Sequence, residues 1–219
     1  MRIRIGIRPS PLALKQAEET IALLRGLDKR LQCNLVKIST DGDLDRITPI
    51  SNIEGSDFFT RQIEETLLQR EIDLAVHSAK DLPDEIPEGL VIAVITKSID
   101  SYDALVSKGN LKINELRTGS KIGASSVRRK TQLKKYRRDF QVVDIRGNIA
   151  ERLEQLDKNG LDAIIAATCA LVRLGLEDRI SQRIPFEILK PHPLQGSLAL
   201  EIREDNWKLR KLLESLNKD

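Results

Sequence analysis

The stretch VVDIRGNIAERLEQLDKNGLDAIIAA, residues 142–167, sets the reading of the whole chain. Val142–Ile145 reads as a strand, Gly147 interrupts it, Ile149–Lys158 carries helical spacing, and Ala163–Ala167 is a short apolar run of the kind a doubly covered strand shows. A second helical pattern follows at Cys169–Leu174. Strand, helix and strand in this order form a βαβ unit, whose strands are expected to be parallel. Outward from here the alternation repeats. Gly123 leads through Ser125 and Ser126 into a helix to Tyr136. Ile3–Ile7 is a strand, Pro11 opens a helix to Leu24, and Leu35–Ile38 is a second strand. Phe58–Gln69 reads as a helix, and Leu74–His77 and Val91–Ile95 as strands. Leu198–Ile202 is the last strand and Asn206–Asn217 the last helix. The fold class is α/β.

The chain has 219 residues, enough for one large domain or two small ones, and its 40% hydrophobic and 32% charged residues exclude a collagen-like or low-complexity protein. No apolar run approaches the ~18 residues of a membrane helix, and no signal peptide or membrane association is expected. Cys33 and Cys169 cannot make a disulfide framework, so a reduced, cytoplasmic protein without a metal site is expected. Seven aromatic residues make a poor platform for stacked bases, so nucleic acid is not an expected partner. Charge is uneven. Lys121, Arg128, Arg129, Lys130, Lys134, Lys135, Arg137, Arg138, Arg146 and Arg152 stand against Asp139, Asp144 and Glu151, so this segment carries +7 in a chain whose net charge is +3. Lys130, Lys134, Lys135, Arg137 and Arg138 read as a solvated helix face. Arg128, Arg129, Arg146 and Arg152 sit at element junctions.

In open α/β sheets ligands bind beyond the carboxyl ends of strands. Four polar clusters fall at such junctions: Arg8-Pro9-Ser10, Ser78-Ala79-Lys80-Asp81, Ser125-Ser126-Val127-Arg128-Arg129 and Arg146-Gly147-Asn148. Ser10, Ser125 or Ser126 could simply cap a helix. Together the four clusters could converge on one anionic ligand, helped by the free N–H groups of helix N-termini.

Five stretches carry a resemblance. IRIGIRPSPLALKQAE (3–18), DLAVHSAKDLPDEIPEGL (73–90), IGASSVRRKTQL (122–133), DIRGNIAERLEQLDKNGLDAIIAA (144–167) and LVRLGLEDRI (171–180) resemble the porphobilinogen deaminase, or hydroxymethylbilane synthase, family. The resemblance implies a first and a second lobe like those of type II periplasmic binding proteins, with the chain crossing twice between them. It also implies a third domain whose cysteine anchors a dipyrromethane cofactor. Mapped by number, lobe one is 1–97 plus 197–219, lobe two is 98–196, and the third domain is expected to be absent. Asn52 and Ser56 stand where the family carries lysines. Pro193 and Leu194 are expected to stiffen a hinge strand ahead of the matching Gln195 and Gly196.

The resemblance implies a transferase of porphyrin and heme biosynthesis that joins porphobilinogen units into a linear tetrapyrrole and releases ammonia. As the amine leaves, positive charge develops on the pyrrole, and a fixed carboxylate would stabilise it. Asp81 is implied in that part, with Lys80 holding charge state or a substrate carboxylate. Arg8, Arg128, Arg129, Arg146 and Arg152 match pocket arginines, suited to acetate and propionate groups. Ser10, Ser78, Ser126 and Gln195 add neutral hydrogen bonds, and Arg173 is a further basic match. Clustered arginines are costly unless a ligand neutralises them. His77 reads as a core histidine, His192 as structural and Cys33 as a small core hydrophobe. Cys169 is a candidate anchor in place of the family's cysteine. Porphobilinogen and linear pyrrole chains are the expected partners, with a separate polypeptide supplying the third domain as another. The alternative is a non-catalytic or partner-dependent pyrrole- or polycarboxylate-binding module derived from the enzyme.

Overall fold

A computed structural model describes residues 1–45, 48, 56–158 and 160–217. The chain forms two compact units and passes from the first to the second after Ser98 and back after Gly196.

The first unit is built on β1 (Arg2–Ile7), β2 (Gln32–Lys37), β3 (Leu74–Ser78), β4 (Leu90–Ile95) and β10 (Leu198–Arg203), in the order β2-β1-β3-β10-β4. The parallel pairs are β1 with β2 and with β3, as the βαβ pattern predicts. Strand β10 runs antiparallel to both β3 and β4, which corrects the all-parallel expectation. Alternation decides which face each residue serves. Ile3, Ile5 and Ile7 point into a core shared with Ala13, Ala17 and Leu24 of α1 (Pro11–Leu27) and Leu209 and Leu213 of α7 (Trp207–Leu213). The opposite face packs Ala75 and Ile72 against Ile63 and Leu67 of α3 (Arg61–Leu68). The helix expected over 58–69 is divided: a 3₁₀ turn at Asp57–Phe59 ends at Thr60, whose backbone leaves the helical region before α3 begins. A four-residue helix, α2 (Asp41–Leu44), follows β2.

The second unit repeats the scheme with β5 (Asp103–Ser107), β6 (Lys121–Gly123), β7 (Gln141–Val143), β8 (Ala163–Ala167) and β9 (Gln182–Ile184), in the order β7-β6-β8-β5-β9. Here β6 is parallel to β7 and β8, while β5 is antiparallel to β8 and β9. Strand β8 is buried on both faces. Ala163 and Ile165 join one core, and Ile164 and Ala166 join the other, with Leu153 and Leu156 of α5 (Ile149–Lys158). Fully burying one such isoleucine contributes about 1.5–3 kcal/mol. The remaining helices are α4 (Val127–Tyr136) and α6 (Thr168–Arg173).

In each sheet the antiparallel strand is the first one met after the chain enters or re-enters that unit: β5 outbound, β10 on return. An antiparallel strand starts at the edge where its parallel neighbours end. Asp103, at the start of β5, therefore pairs in register with Ala167, at the end of β8, and Leu198 pairs with Ser78. Among the described residues no helix is long and apolar enough to cross a membrane.

Candidate active site

The first unit gathers Arg8, Ser10, Ser78, Lys80 and Asp81 at the carboxyl ends of β1 and β3, which are neighbours in the sheet. Ser10 caps α1, accepting from the Ala13 N–H at 3.1 Å, with Pro11 pre-set at the first helical position. Ser78 Oγ accepts from Gln16 Nε2 of α1 at 2.8 Å, which ties the helix to the end of β3. After Ser78 the chain makes one 3₁₀ turn, Ala79–Asp81, pinned by Ala79 N–H donating to the Ser197 carbonyl at 3.1 Å. Arg8 is not left for a ligand alone. Its Nη2 donates to Asp43 Oδ1 at 2.5 Å, and its guanidinium carbon lies 4.5 Å above the Phe59 ring. Burial pushes the Asp43 carboxyl up, but Arg8, together with the Thr40 N–H and hydroxyl, more than offsets this and holds it below its ordinary value. Asp81 is half-buried, and among the described residues no ion pair or hydrogen bond engages its carboxylate. Behind β3, His77 Nε2 meets Glu201 Oε2 at 3.0 Å, both side chains buried, in keeping with a core histidine.

The second unit gathers Ser126, Arg128, Arg129, Arg146, Arg152 and Cys169 at the carboxyl ends of β6, β7 and β8. Ser126 caps α4, with its Oγ 3.3 Å from the Arg129 N–H. Buried Ser125 donates to the Ile145 carbonyl at 2.8 Å and links the ends of two strands. Gly147 has φ +97°, and a Cβ there would lie 2.5 Å from Glu151 Oε2, so only glycine fits this turn. The Glu151 carboxylate accepts from the Asn148 N–H at 2.7 Å, while Asn148 Oδ1 accepts from the Glu151 N–H at 3.1 Å, a reciprocal cap for α5. Arg152 Nε donates to the Gly147 carbonyl at 2.7 Å. Arg146 and Arg152 are both part-exposed. Cys169 is buried, 5% exposed, in the first turn of α6. Arg173 Nη2 donates to the Gly196 carbonyl at 2.9 Å.

The sequence reading missed Asp103. Its Oδ1 accepts from Arg129 Nε at 3.0 Å and Nη2 at 2.6 Å, and from Gln195 Nε2 at 3.1 Å. Its Oδ2 accepts from Arg128 Nη2 at 2.7 Å. Burial pushes the carboxyl up, but the two guanidinium groups overcome that and hold it at about 2. The expectation that a ligand alone neutralises the arginines is thus corrected: Asp43 and Asp103 supply internal counter-charge. The signal for Asp103 was present in the apolar run Ala104-Leu105-Val106, a buried strand that opens on an acid. Gln195 is fully buried, at the end of a turn in which its N–H donates to the His192 carbonyl at 2.9 Å, with Pro193 between them. Pro193 and Leu194 therefore shape a turn, not a strand. Of the two lost lysine positions, Ser56 is exposed beside the Asp57–Phe59 turn, and Asn52 lies outside the described residues.

A family model described as porphobilinogen deaminase, dipyromethane cofactor binding domain, matches residues 3–211. The chain belongs to the porphobilinogen deaminase family. The porphobilinogen deaminase of Natranaerobius thermophilus is 45% identical over 218 residues, covering 99% of this chain and 70% of that protein. That of Chlorobium limicola is 43% identical over 213 residues, covering 97% and 68%. The crystal structure of the methionine binding protein MetQ superposes with a TM-score of 0.60 at 13% identity, over 100% of this chain and 91% of that one. This likeness shows the fold alone, the two-lobe type II periplasmic-binding-protein architecture with the chain passing twice between lobes. The activity is that of hydroxymethylbilane synthase, a transferase of tetrapyrrole biosynthesis that condenses porphobilinogen stepwise and releases ammonia. The cofactor of the matched domain is dipyrromethane. The donor set fits it: its side chains end in carboxylates, and the part-exposed guanidinium groups of Arg128, Arg146 and Arg152 are suited to bind them.

Proposed function

We propose that the edge of the first sheet serves the reacting pyrrole and the edge of the second sheet holds carboxylates. The observation that carries this is a contrast among carboxylates. Asp43 and Asp103 are taken up by arginines, whereas Asp81 has no partner among the described residues. A neutralised carboxylate gives little to a cation forming nearby; one without a partner gives much more. As ammonia leaves the aminomethyl group of porphobilinogen, the pyrrole ring becomes an electron-poor methylene pyrrolenine. Asp81 steadies that charge and accepts or returns a ring proton, and Lys80 binds a substrate acid or holds the charge state of Asp81. Arg8 contributes from the end of β1, with Ser10 and Ser78 as neutral donors.

On the second sheet, Arg128, Arg146 and Arg152 hold acetate and propionate groups, with Ser126 beside them and Arg129 and Gln195 acting from the buried side. When bound, dipyrromethane supplies an electron-rich pyrrole carbon as acceptor. The protein's part is to fix its acids with these arginines. Lobe boundaries at 97/98 and 196/197, a cytoplasmic setting suited to two cysteines outside any disulfide, and a separate polypeptide bearing an anchoring cysteine complete the proposal.

Porphobilinogen consumption, uroporphyrin formation and the intact mass of the purified chain test it together. Consumption, alone or with an added cysteine-bearing partner, is the expected result. A protein that binds porphobilinogen yet never consumes it, under either condition, is a binding module instead.

A further inference from the structure

Asp103 opens the strand by which the chain enters the second unit, and its side chain is fully buried. Four donated hydrogen bonds converge on it, two from Arg129, one from Arg128 and one from Gln195. The same Gln195 amide also donates to the carbonyls of Ser101 and Tyr102 at 2.8 and 3.0 Å, so the carboxylate, the start of β5 and the turn before β10 form one network. The two neighbouring arginines of α4 differ within it. The Arg129 side chain is 5% exposed, while that of Arg128 keeps 24% and spends its Nη1 on the Lys190 carbonyl. Two guanidinium charges meet one carboxylate, so one positive charge is left over, and Arg128 is the member of the pair that reaches the surface.

We propose that Asp103 is a positioning residue for carboxylate binding: it holds Arg128 in the orientation that grips a pyrrole acid, with Arg129 and Gln195 fixing Asp103 in turn. The inference rests on reading Arg128 as a carboxylate ligand. A mobile arginine side chain loses rotamer entropy when it grips a ligand, and a preset one loses less.

The test is steady-state porphobilinogen consumption by Asp103→Asn, Arg128→Gln and the double variant. Asp103→Asn and Arg128→Gln should each raise KM about tenfold with kcat changed by less than about threefold, and the double variant should stay within about twofold of Arg128→Gln, because one residue acts through the other. Thermal stability alone would not produce that split. If Asp103→Asn misfolds, the charge-balanced Asp103→Asn/Arg129→Gln should fold and show the same rise in KM. An unchanged KM in the folded Asp103 variants, beside a raised KM in Arg128→Gln, overturns the positioning role. A double variant whose KM multiplies the single effects also overturns it. An unchanged KM in Arg128→Gln overturns the carboxylate reading of Arg128 itself.

Discussion

A single oxygen of Asp103 accepts both Nε and Nη2 of Arg129, at 3.0 and 2.6 Å, across 26 residues of sequence and with both side chains buried. Edge-on pairing of this kind keeps the acid ionised in a place where burial alone would protonate it. The folded carboxyl sits at about 2, against an ordinary 3.8.

Stability should follow that pairing at low pH. A carboxyl with a depressed folded value contributes stability that is present above its unfolded value and is lost as pH falls through the folded one. Asp103 should therefore contribute about 2 kcal/mol near neutrality, fading between about pH 4 and pH 2. Urea unfolding across that range should show the loss, and Asp103→Asn should flatten it. The same variant should cost about 3–5 kcal/mol at neutral pH, because two buried-side guanidinium groups lose their counter-charge.

Glu64 should behave in the opposite sense. It is 3% exposed on α3, and among the described residues its Oε1 has no hydrogen-bond partner. Burial pushes its carboxyl up, as do the charges of Glu201 and Asp57; the Thr60 hydroxyl and His77 pull the other way without overcoming it. A raised carboxyl contributes its stability below the unfolded value and loses it as pH rises. Glu64→Gln should thus stabilise the protein increasingly as pH rises above the ordinary carboxylate value of 4.5, read as the difference in Tm from wild type.

Gly147→Ala should destabilise by about 1–3 kcal/mol, since it forces a β-carbon into positive φ and against the Glu151 carboxylate that caps α5. Because Arg152 is held by the Gly147 carbonyl, KM for porphobilinogen should rise in the same variant. A stable variant with wild-type KM would show that this turn does not set the arginine.

Much of this was legible locally. The strands at Leu74–His77 and Ala163–Ala167 stand out as compact apolar runs and that at Ile3–Ile7 by its alternating isoleucines, and those two runs and the three isoleucines are buried in the structure. Ser10 and Ser126 announce helix starts, and both cap. The sequence pattern misses what depends on distant partners. Strand β2 starts at Gln32, ahead of the expected Leu35, because pairing with Arg2 extends it through polar residues. Strand direction is not a local property, so β5 and β10 were not recognisable as antiparallel. That is why Asp103, placed at the ligand edge only by that reversal, was not found. Counter-charge escaped notice for the same reason, since Asp43 and Asp103 lie 35 and 25 residues from Arg8 and Arg128.

The division of labour between the two sheet edges is probed most directly by the kinetics of Asp81→Asn, an isosteric change that removes only the charge. Its turnover of porphobilinogen should fall by about 10²–10³ while its affinity for the substrate stays within a few-fold of wild type. Undiminished turnover, or a loss confined to affinity, would show that the positive charge formed as ammonia departs is stabilised elsewhere.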